Sequence, residues 1–135
     1  MTSRSKKRNP KFRFWYTGIR VKDLNKSITF YTKILGMRVV RRGKMPHGGE
    51  YVGLRTPGSY KEIELNWYPA TSEFYTKYAK GDEMDHLAFV VDDVSETFEY
   101  MKKKGVKVAV SPSKAKGLTE VYFEDPNGIW IELFA

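Results

Sequence analysis

Two different patterns of apolar residues follow one another in the first half of the chain. Residues 14–21 form an apolar, β-prone run, and an apolar residue then recurs every three or four positions, at Leu24, Ile28, Tyr31 and Leu35. Asp23 offers N-capping chemistry in front of this second segment and Gly36 ends it, so a strand is followed by a helix. Three more strands are predicted over residues 37–43, 49–56 and 60–67, separated by the turn-forming stretches His47-Gly48-Gly49 and Pro57-Gly58-Ser59.

The second half repeats this order of elements. A strand is predicted over residues 85–91, and the capping-box sequence Asp93-Val94-Ser95-Glu96 then starts a helix that carries Val94, Phe98 and Met101. Gly105 ends this helix. The last strands are predicted near residues 106–110, 118–124 and 129–134, and Asp125-Pro126-Asn127-Gly128 forms the turn before the last of them.

The two halves also correspond residue by residue. Tyr16 falls on His86 and Asp23 on Asp93, at an offset of 70 residues. The offset is 69 or 68 residues for Gly36 with Gly105, Pro57 with Pro126, and Ile63-Glu64-Leu65 with Ile131-Glu132-Leu133. The offset between the halves changes by only two residues along the whole unit, which indicates an internal duplication. We therefore predict an α+β fold of two tandem βαβββ modules, at about 14–67 and 84–135, with a linker at 68–83.

The alternation of side chains along each strand sorts the residues into two faces. We expect Ile63 and Leu65, and their counterparts Ile131 and Leu133, to pack against the helices. The opposite faces carry Tyr16, Gly18 and Arg20; His86, Ala88 and Val90; Glu62, Glu64 and Asn66; and Trp130, Glu132 and Phe134. Glu132 is flanked there by two aromatic residues, and a carboxylate in such a place needs a partner because burying an unpaired charge is costly.

A metal ion is one such partner. His86, Glu64 and Glu132 hold equivalent places on equivalent strands, so we expect them to converge on the approximate twofold axis between the modules. One imidazole and two carboxylates suit one divalent ion of Zn, Ni, Co, Mn or Fe, with positions left for water or substrate. The alternatives are a structural or exposed histidine, and glutamates that are solvated or paired with Lys or Arg.

Composition narrows the class of protein. A chain of 135 residues suits one domain, and the absence of cysteine excludes disulfides and thiolate metal sites and favours a cytoplasmic location. No apolar run near the start reaches signal-peptide length, so we expect neither export nor membrane insertion. The net charge is +8, but residues 1–13 contain six basic side chains and no acid, which leaves +2 for the rest. We expect residues 1–13 to be a basic flexible tail, and we do not expect nucleic-acid binding.

Three stretches carry more specific motifs. The first is Ile19-Arg20-Val21-Lys22-Asp23-Leu24 with Phe30-Tyr31 and Leu35-Gly36-Met37, the second is Asp85-His86-Leu87-Ala88-Phe89 with Val91-Asp92-Asp93, and the third is Glu124-Asp125-Pro126-Asn127-Gly128 with Trp130-Ile131-Glu132-Leu133. Together they resemble lactoylglutathione lyase (glyoxalase I) and, more broadly, the vicinal oxygen chelate superfamily of glyoxalase, bleomycin-resistance and dioxygenase proteins. The resemblance implies a curved, incomplete eight-stranded barrel around a divalent metal ion, commonly in a homodimer.

The resemblance also implies a ligand set. Glyoxalase I takes its ligands from a His, a Glu, a His and a Glu on the first, fourth, fifth and last strands, which map onto Tyr16, Glu64, His86 and Glu132. Tyr16 departs from this pattern, because a phenol is a poor ligand at neutral pH and can instead hydrogen-bond to a metal-bound water. The departure counts against an extradiol dioxygenase, whose iron needs two His and one carboxylate. His47, the other imidazole, is a candidate replacement ligand.

Two further residues are implicated in substrate binding. Arg20 corresponds to an Arg that holds a glutathione carboxylate in glyoxalase I, although a pair with Glu62 or Glu64 is an equal alternative. Asn66 lies near, but short of, the place of the glutathione-contacting Asn of that family. The identity of the thiol is therefore open, and it need not be glutathione.

These residues predict a metal-dependent lyase or isomerase that acts on an α-hydroxycarbonyl such as a hemithioacetal of methylglyoxal, with Glu132 as base and Glu64 opposite it. One alternative is another metal-dependent member of the superfamily: an epimerase, a thiol transferase or a dioxygenase. The other is a non-enzymatic small-molecule binding protein of the bleomycin-resistance type, with an aromatic groove lined by Tyr16, Trp67, Trp130 and Phe134.

Overall fold

The computed structural model describes residues 9–112 and 120–135, and it has the predicted α+β fold of two βαβββ units. The elements are β1 (Arg13–Arg20), α1 (Leu24–Thr29), a π-helix (Phe30–Ile34), β2 (Arg38–Lys44), β3 (Glu50–Arg55), β4 (Glu62–Trp67), β5 (Met84–Val90), α2 (Val94–Lys103), β6 (Val108–Val110), β7 (Val121–Glu124) and β8 (Trp130–Phe134). The observed strands agree closely with the predicted ones. The start predicted for the seventh strand, residues 118 and 119, and positions 1–8 of the predicted tail lie outside the described residues.

Both helical segments are capped as their sequences predict. The side chains of Asp23 and Asp93 each accept a hydrogen bond from the backbone N–H three residues further on, at 3.0 and 2.9 Å. Gly36 and Gly105 follow the two segments with φ angles of 73° and 77°, in the left-handed region that favours glycine.

The first helical segment changes type midway. After six residues of α-helix the backbone widens into the π-helix, where the N–H of Leu35 donates to the carbonyl of Phe30 at 3.2 Å. The hydroxyl of Thr32 donates to the carbonyl of Ile28 at 2.7 Å, an acceptor that the next α-helical bond would use. The apolar spacing predicts a helix here but does not distinguish these two forms.

One sheet contains all eight strands, in the order β2-β3-β4-β1-β5-β8-β7-β6. Each unit contributes four neighbouring strands, and the two units meet where β1 pairs antiparallel with β5. Within the units, β1 pairs parallel with β4 and β5 pairs parallel with β8. The sheet is open, with β2 and β6 at its edges, and the pairs at its centre bring together the strands that carry the predicted site.

Each unit has its own hydrophobic core on the helical face of the sheet. The first cluster is Leu24, Val52, Leu54 and Leu65, with Ile63 and Ile28 packed against it. The second is Val91, Val121, Phe123 and Leu133, with Ile131, Phe98 and Met101 packed against it. The prediction that Ile63, Leu65 and their counterparts pack on this face is confirmed, and the opposite face is left for polar residues. Among the described residues, no helix is long and apolar enough to cross a membrane.

Candidate functional site

The four predicted ligand positions come together at the centre of the sheet. Tyr16 lies on β1, Glu64 on β4, His86 on β5 and Glu132 on β8, and all four side chains are buried. Strand register explains the convergence, because Gly18 on β1 is aligned with both Glu64 and His86. A single chain therefore assembles the cluster.

The Tyr16 hydroxyl joins two of the other side chains. It donates to Oε1 of Glu132 at 2.6 Å and lies 2.7 Å from Nε2 of His86. Nε2 of His86 is in turn 3.1 Å from Oε1 of Glu132 and 3.7 Å from Oε1 of Glu64. Because the phenol has one proton and gives it to Glu132, its oxygen is the acceptor for an N–H of His86.

Asp85 orients His86 from the other side of the ring. Nδ1 of His86 lies 2.7 Å from Oδ2 of Asp85, and the Tyr68 hydroxyl donates to the same oxygen at 2.9 Å. Burial alone would lower the pKa of His86, but the hydrogen bonds and charges of Asp85 and Glu132 raise it to about 10. The ring is therefore an imidazolium at neutral pH in the metal-free protein.

The phenols of the site stay protonated. Burial, and next the charges of Glu132 and Glu64, raise the pKa of Tyr16 far above its ordinary value. Burial and Asp85 raise the pKa of Tyr68 in the same direction. In this environment Tyr16 is a hydrogen-bond donor and not a phenolate.

Arg41 on β2 is the site residue that the sequence reasoning missed. Its Nε donates to Glu62, its Nη1 lies 2.5 Å from Oε2 of Glu64, and its guanidinium carbon lies 4.5 Å from the ring centre of Tyr16. Burial would lower the pKa of Arg41, but Glu64 and Glu62 raise it, so the guanidinium remains charged. The strand register explains why Arg41 reaches the site. Arg41 is aligned with Gly53 and Gly53 with Glu64, which places all three residues in one row across β2, β3 and β4.

Asn66 supports Glu64 through a direct hydrogen bond. Its Nδ2 donates to Oε1 of Glu64 at 2.7 Å, and the side chain is almost fully buried. Its Oδ1 and Nη2 of Arg41 are buried and have no hydrogen-bond partner among the described residues. The site thus contains one acceptor and one donor that a ligand or water can satisfy.

Arg20 is directed away from the cluster. Its guanidinium donates to the hydroxyl of Thr76 and, at 3.2 Å, to the carbonyl of Thr76 in the predicted linker. Among the described ion pairs, Arg20 pairs with neither Glu62 nor Glu64; Arg41 pairs with both, and Arg55 donates to Glu62 at 3.0 Å. Arg20 is the last residue of β1 and lies beside the linker, so its side chain contacts the linker.

Part of the predicted aromatic groove is arranged differently. Trp67 packs against the first core cluster, because it alternates with Asn66 and so shares the face of Leu65. Phe134 is 43% exposed at the end of β8 and lies 5.0 Å, centre to centre, from Trp15. Neither Trp67 nor Phe134 is among the residues that line the pocket around Trp130 in the described part of the chain.

Trp130 instead belongs to an aromatic pocket beside the cluster. The pocket is lined by Met45, His47, Tyr68, Phe74, Asp85, Val110, Glu120, Tyr122 and Trp130. Phe74 lies 5.7 Å from Trp130 and 4.6 Å from His47, and Nδ1 of His47 lies 2.9 Å from Oγ of Ser72. His47 is thus held by the linker, and Asp85 connects this pocket to His86.

The contacts of the predicted ligands do not fit a preformed metal site. Within residues 9–112 and 120–135, no group of three or more His, Cys, Asp or Glu side chains could hold a metal ion. Both oxygens of Glu64 are engaged, Oε1 by Asn66 and Oε2 by Arg41, and the Tyr16 hydroxyl bridges the other two predicted ligands. The divalent ion that the resemblance implies stays a prediction.

Comparison with known proteins agrees with the class that this fold and site define. The model of the Glyoxalase/Bleomycin resistance protein/Dioxygenase superfamily matches residues 13–133, and the chain belongs to this superfamily. Among solved structures, methylmalonyl-CoA epimerase from Mycobacterium tuberculosis is similar with a TM-score of 0.72 and 23% identity, covering 97% of this chain and 93% of that one. At this identity the likeness concerns the fold.

Curated relatives narrow the comparison to lactoylglutathione lyases. A probable lactoylglutathione lyase of Synechocystis sp. is 40% identical, over 87% of this chain and 91% of its own length. The lactoylglutathione lyase of Escherichia coli O157:H7 is 35% identical, over 90% of each chain. A probable chloroplastic lactoylglutathione lyase of Arabidopsis thaliana is 34% identical over 93% of this chain, which spans only 36% of that longer protein.

Proposed function

We propose that the protein is a lyase of the lactoylglutathione lyase type, acting on an α-hydroxycarbonyl such as a hemithioacetal of a 2-oxoaldehyde with a thiol. The observation that carries this proposal is the pair of buried carboxylates, Glu64 and Glu132, whose Oε1 atoms lie 3.7 and 3.1 Å from Nε2 of His86. Such a pair can remove a proton from one carbon and return it to the next. The sequence relatives support the same reaction class.

Glu132 is the base in this proposal. Its contacts with Tyr16 and His86 both use Oε1, which leaves Oε2 to take the proton from the hemithioacetal carbon. The electron pair of the broken C–H bond forms an enediolate, and the hydroxyl proton moves from the oxygen of the first carbon to the oxygen of the second. The abstracted proton is then delivered to the second carbon, and the product is a thioester of a 2-hydroxy acid. A divalent ion of Zn, Ni, Co, Mn or Fe would polarise the reacting oxygens if it were bound; no step here depends on it.

The test compares Glu132→Gln with a control on the neighbouring strand. Glu124→Gln removes a partly exposed carboxylate on β7 whose partner is Lys107. Methylglyoxal is mixed with glutathione and with other thiols, with and without added divalent metals, and thioester formation is followed. We expect Glu132→Gln to lower kcat by roughly 10² to 10⁴ and Glu124→Gln to leave it unchanged. Absence of turnover by the parent protein with every thiol would contradict the proposal.

The aromatic pocket favours one second candidate, a binding protein of the bleomycin-resistance type. Its rings present a largely apolar surface for a planar ligand. Binding without turnover, weakened by Trp130→Ala and unaffected by Glu132→Gln, would favour this candidate over the lyase.

The assembly and location of the protein are proposed on less specific grounds. We propose a homodimer, as the resemblance implies, and a cytoplasmic location, because the chain has no cysteine. The proposed partner is a small-molecule substrate, and neither a membrane nor a nucleic acid is part of the proposal. Light scattering of the purified protein measures the dimer directly.

A further inference from the structure

Arg41 reaches the acidic side chains of the site through a gap in the neighbouring strand. A Cβ atom at Gly53 would lie 2.6 Å from Cγ of Arg41 and 2.7 Å from Oε2 of Glu62, so glycine at this position leaves room for the guanidinium. The Arg41 side chain is 24% exposed, and its guanidinium carbon lies 4.5 Å from the ring centre of Tyr16 and 4.8 Å from that of Trp15. The sheet is therefore shaped to hold a cation here.

The Arg41 guanidinium is bound to the carboxylate of Glu64, which a metal ion would need as a ligand. Nη1 of Arg41 holds Oε2 of Glu64, while Asn66 holds Oε1 of the same side chain. A guanidinium cannot lose its proton in a protein, so Arg41 keeps its charge at every working pH. A divalent ion on Glu64 would have to share the carboxylate with a permanent positive charge in a buried place, where screening is weak.

The remaining donor of Arg41 points to the same conclusion. Nη2 is buried without a hydrogen-bond partner in the described part of the chain. A buried, charged donor requires an acceptor oxygen, such as that of a water, a carboxylate or a carbonyl. A second cation beside it would increase this deficit.

We propose that Arg41 is the resident cation of the site and takes the charge-balancing place of the divalent ion, so that the native protein binds divalent metals only weakly. Arg41 is here a positioning residue: it fixes Glu64 opposite Glu132 through the ion pair. The inference concerns metal binding and stands apart from the proposed lyase reaction.

The test measures metal binding without any substrate. The full-length protein is loaded separately with Zn²⁺, Ni²⁺, Co²⁺ and Mn²⁺, desalted, and analysed for metal content, and Zn²⁺ and Ni²⁺ affinities are measured by calorimetry. We expect the parent protein and Arg41→Lys to retain well below one ion per chain. We expect Arg41→Met to bind at least tenfold more tightly, and Tyr16→His/Arg41→Met, which restores a second imidazole, to retain about one ion.

Arg55→Met is the matched control. Arg55 pairs with Glu62, as Arg41 does, but has no contact with Glu64 among the described ion pairs, so its loss should leave metal affinity unchanged. Adding His86→Gln to each tight-binding variant should abolish the gain, and circular dichroism checks that every variant is folded. The proposal is overturned if the parent protein retains about one ion per chain that His86→Gln removes, or if folded Arg41→Met and Tyr16→His/Arg41→Met bind no more tightly than the parent.

Discussion

Tyr16 is the residue at which the duplicated halves of the site differ. Its counterpart is His86, and the two side chains are in direct contact at 2.7 Å. The phenol accepts a hydrogen bond from the imidazolium and donates one to Glu132, so it connects two charged groups. A neutral histidine in its place would donate from one ring nitrogen and accept at the other, so no single atom could make both contacts.

Replacement of Tyr16 by Phe tests this bridge. The change removes one hydroxyl that bonds to a buried carboxylate, and we expect the free energy of unfolding to fall by about 1–3 kcal/mol. Urea denaturation measures it, with Tyr60→Phe as the control because Tyr60 is 90% exposed. Equal stability of the two variants would mean that the bridge contributes nothing.

Single residues of the site were predictable to different degrees. The alternation of strand side chains places Glu64, His86 and Glu132 on one face, and the structure brings them together. Arg41 was not predicted because β2, Arg38–Lys44, has no clear alternation of apolar and polar residues and carries basic side chains on both faces. Only the alignment with Gly53 identifies it, and strand register is not visible in a single sequence.

At the scale of elements, a glycine within a strand makes the centre of the site possible. Gly18 on β1 is aligned with Glu64 on β4 and with His86 on β5. A Cβ atom at Gly18 would lie 2.6 Å from Cε1 and Nδ1 of His86 and 2.8 Å from Oδ1 of Asn66. Side chains from the two flanking strands therefore meet above β1 because β1 has none at this position.

Gly18→Ala should displace His86 and destabilise the fold. Overpacking of this kind costs about 1–3 kcal/mol, which urea denaturation detects. The same substitution should cost less when His86 is already Ala, because most of the clash is then absent. An equal cost in both backgrounds would show that the imidazole is not what the new methyl group meets.

The helices were easier to predict than the polar contacts. Asp23 and Asp93 cap their segments, and the glycines that follow end them, because capping depends on residues close in sequence. The π-helix after α1 was not distinguished from α-helix, since both present the same apolar positions over so short a segment. Local chemistry was thus predictable where it involves neighbours and less so where it depends on packing.

At the scale of the whole molecule, the cluster links stability to pH. The pKa of His86 rises from an ordinary value of 6.5 to about 10 in the folded, metal-free protein. Between these values the folded state binds more protons than the unfolded state. The contribution of His86 to stability is therefore complete below about pH 6.5 and is lost as the pH rises through about 10.

Urea denaturation of the metal-free protein at several pH values between 6 and 10.5 checks this dependence. We expect the free energy of unfolding to decline with increasing pH over this range, and the decline to be smaller in His86→Gln. Comparison with the variant removes the contribution of the other titrating groups. Parallel curves would show that His86 does not titrate differently in the folded and unfolded states.

The duplication made the overall architecture predictable, since a repeated order of elements requires each half to build its own small core. The structure has one cluster around Leu65 and another around Leu133. The sequence did not show how the halves meet; this depends on the antiparallel pairing of β1 with β5, which joins residues about 70 positions apart.

That single pairing has a consequence for the order of folding. Hairpins such as β2–β3 and β7–β8 close short loops, whereas the contacts of Tyr16 with His86 and Glu132 span 70 and 116 residues. Long loops are costly to close in chain entropy, so the halves are expected to gain structure before they dock. The charged cluster is then expected to form last, after each half has gained its own structure.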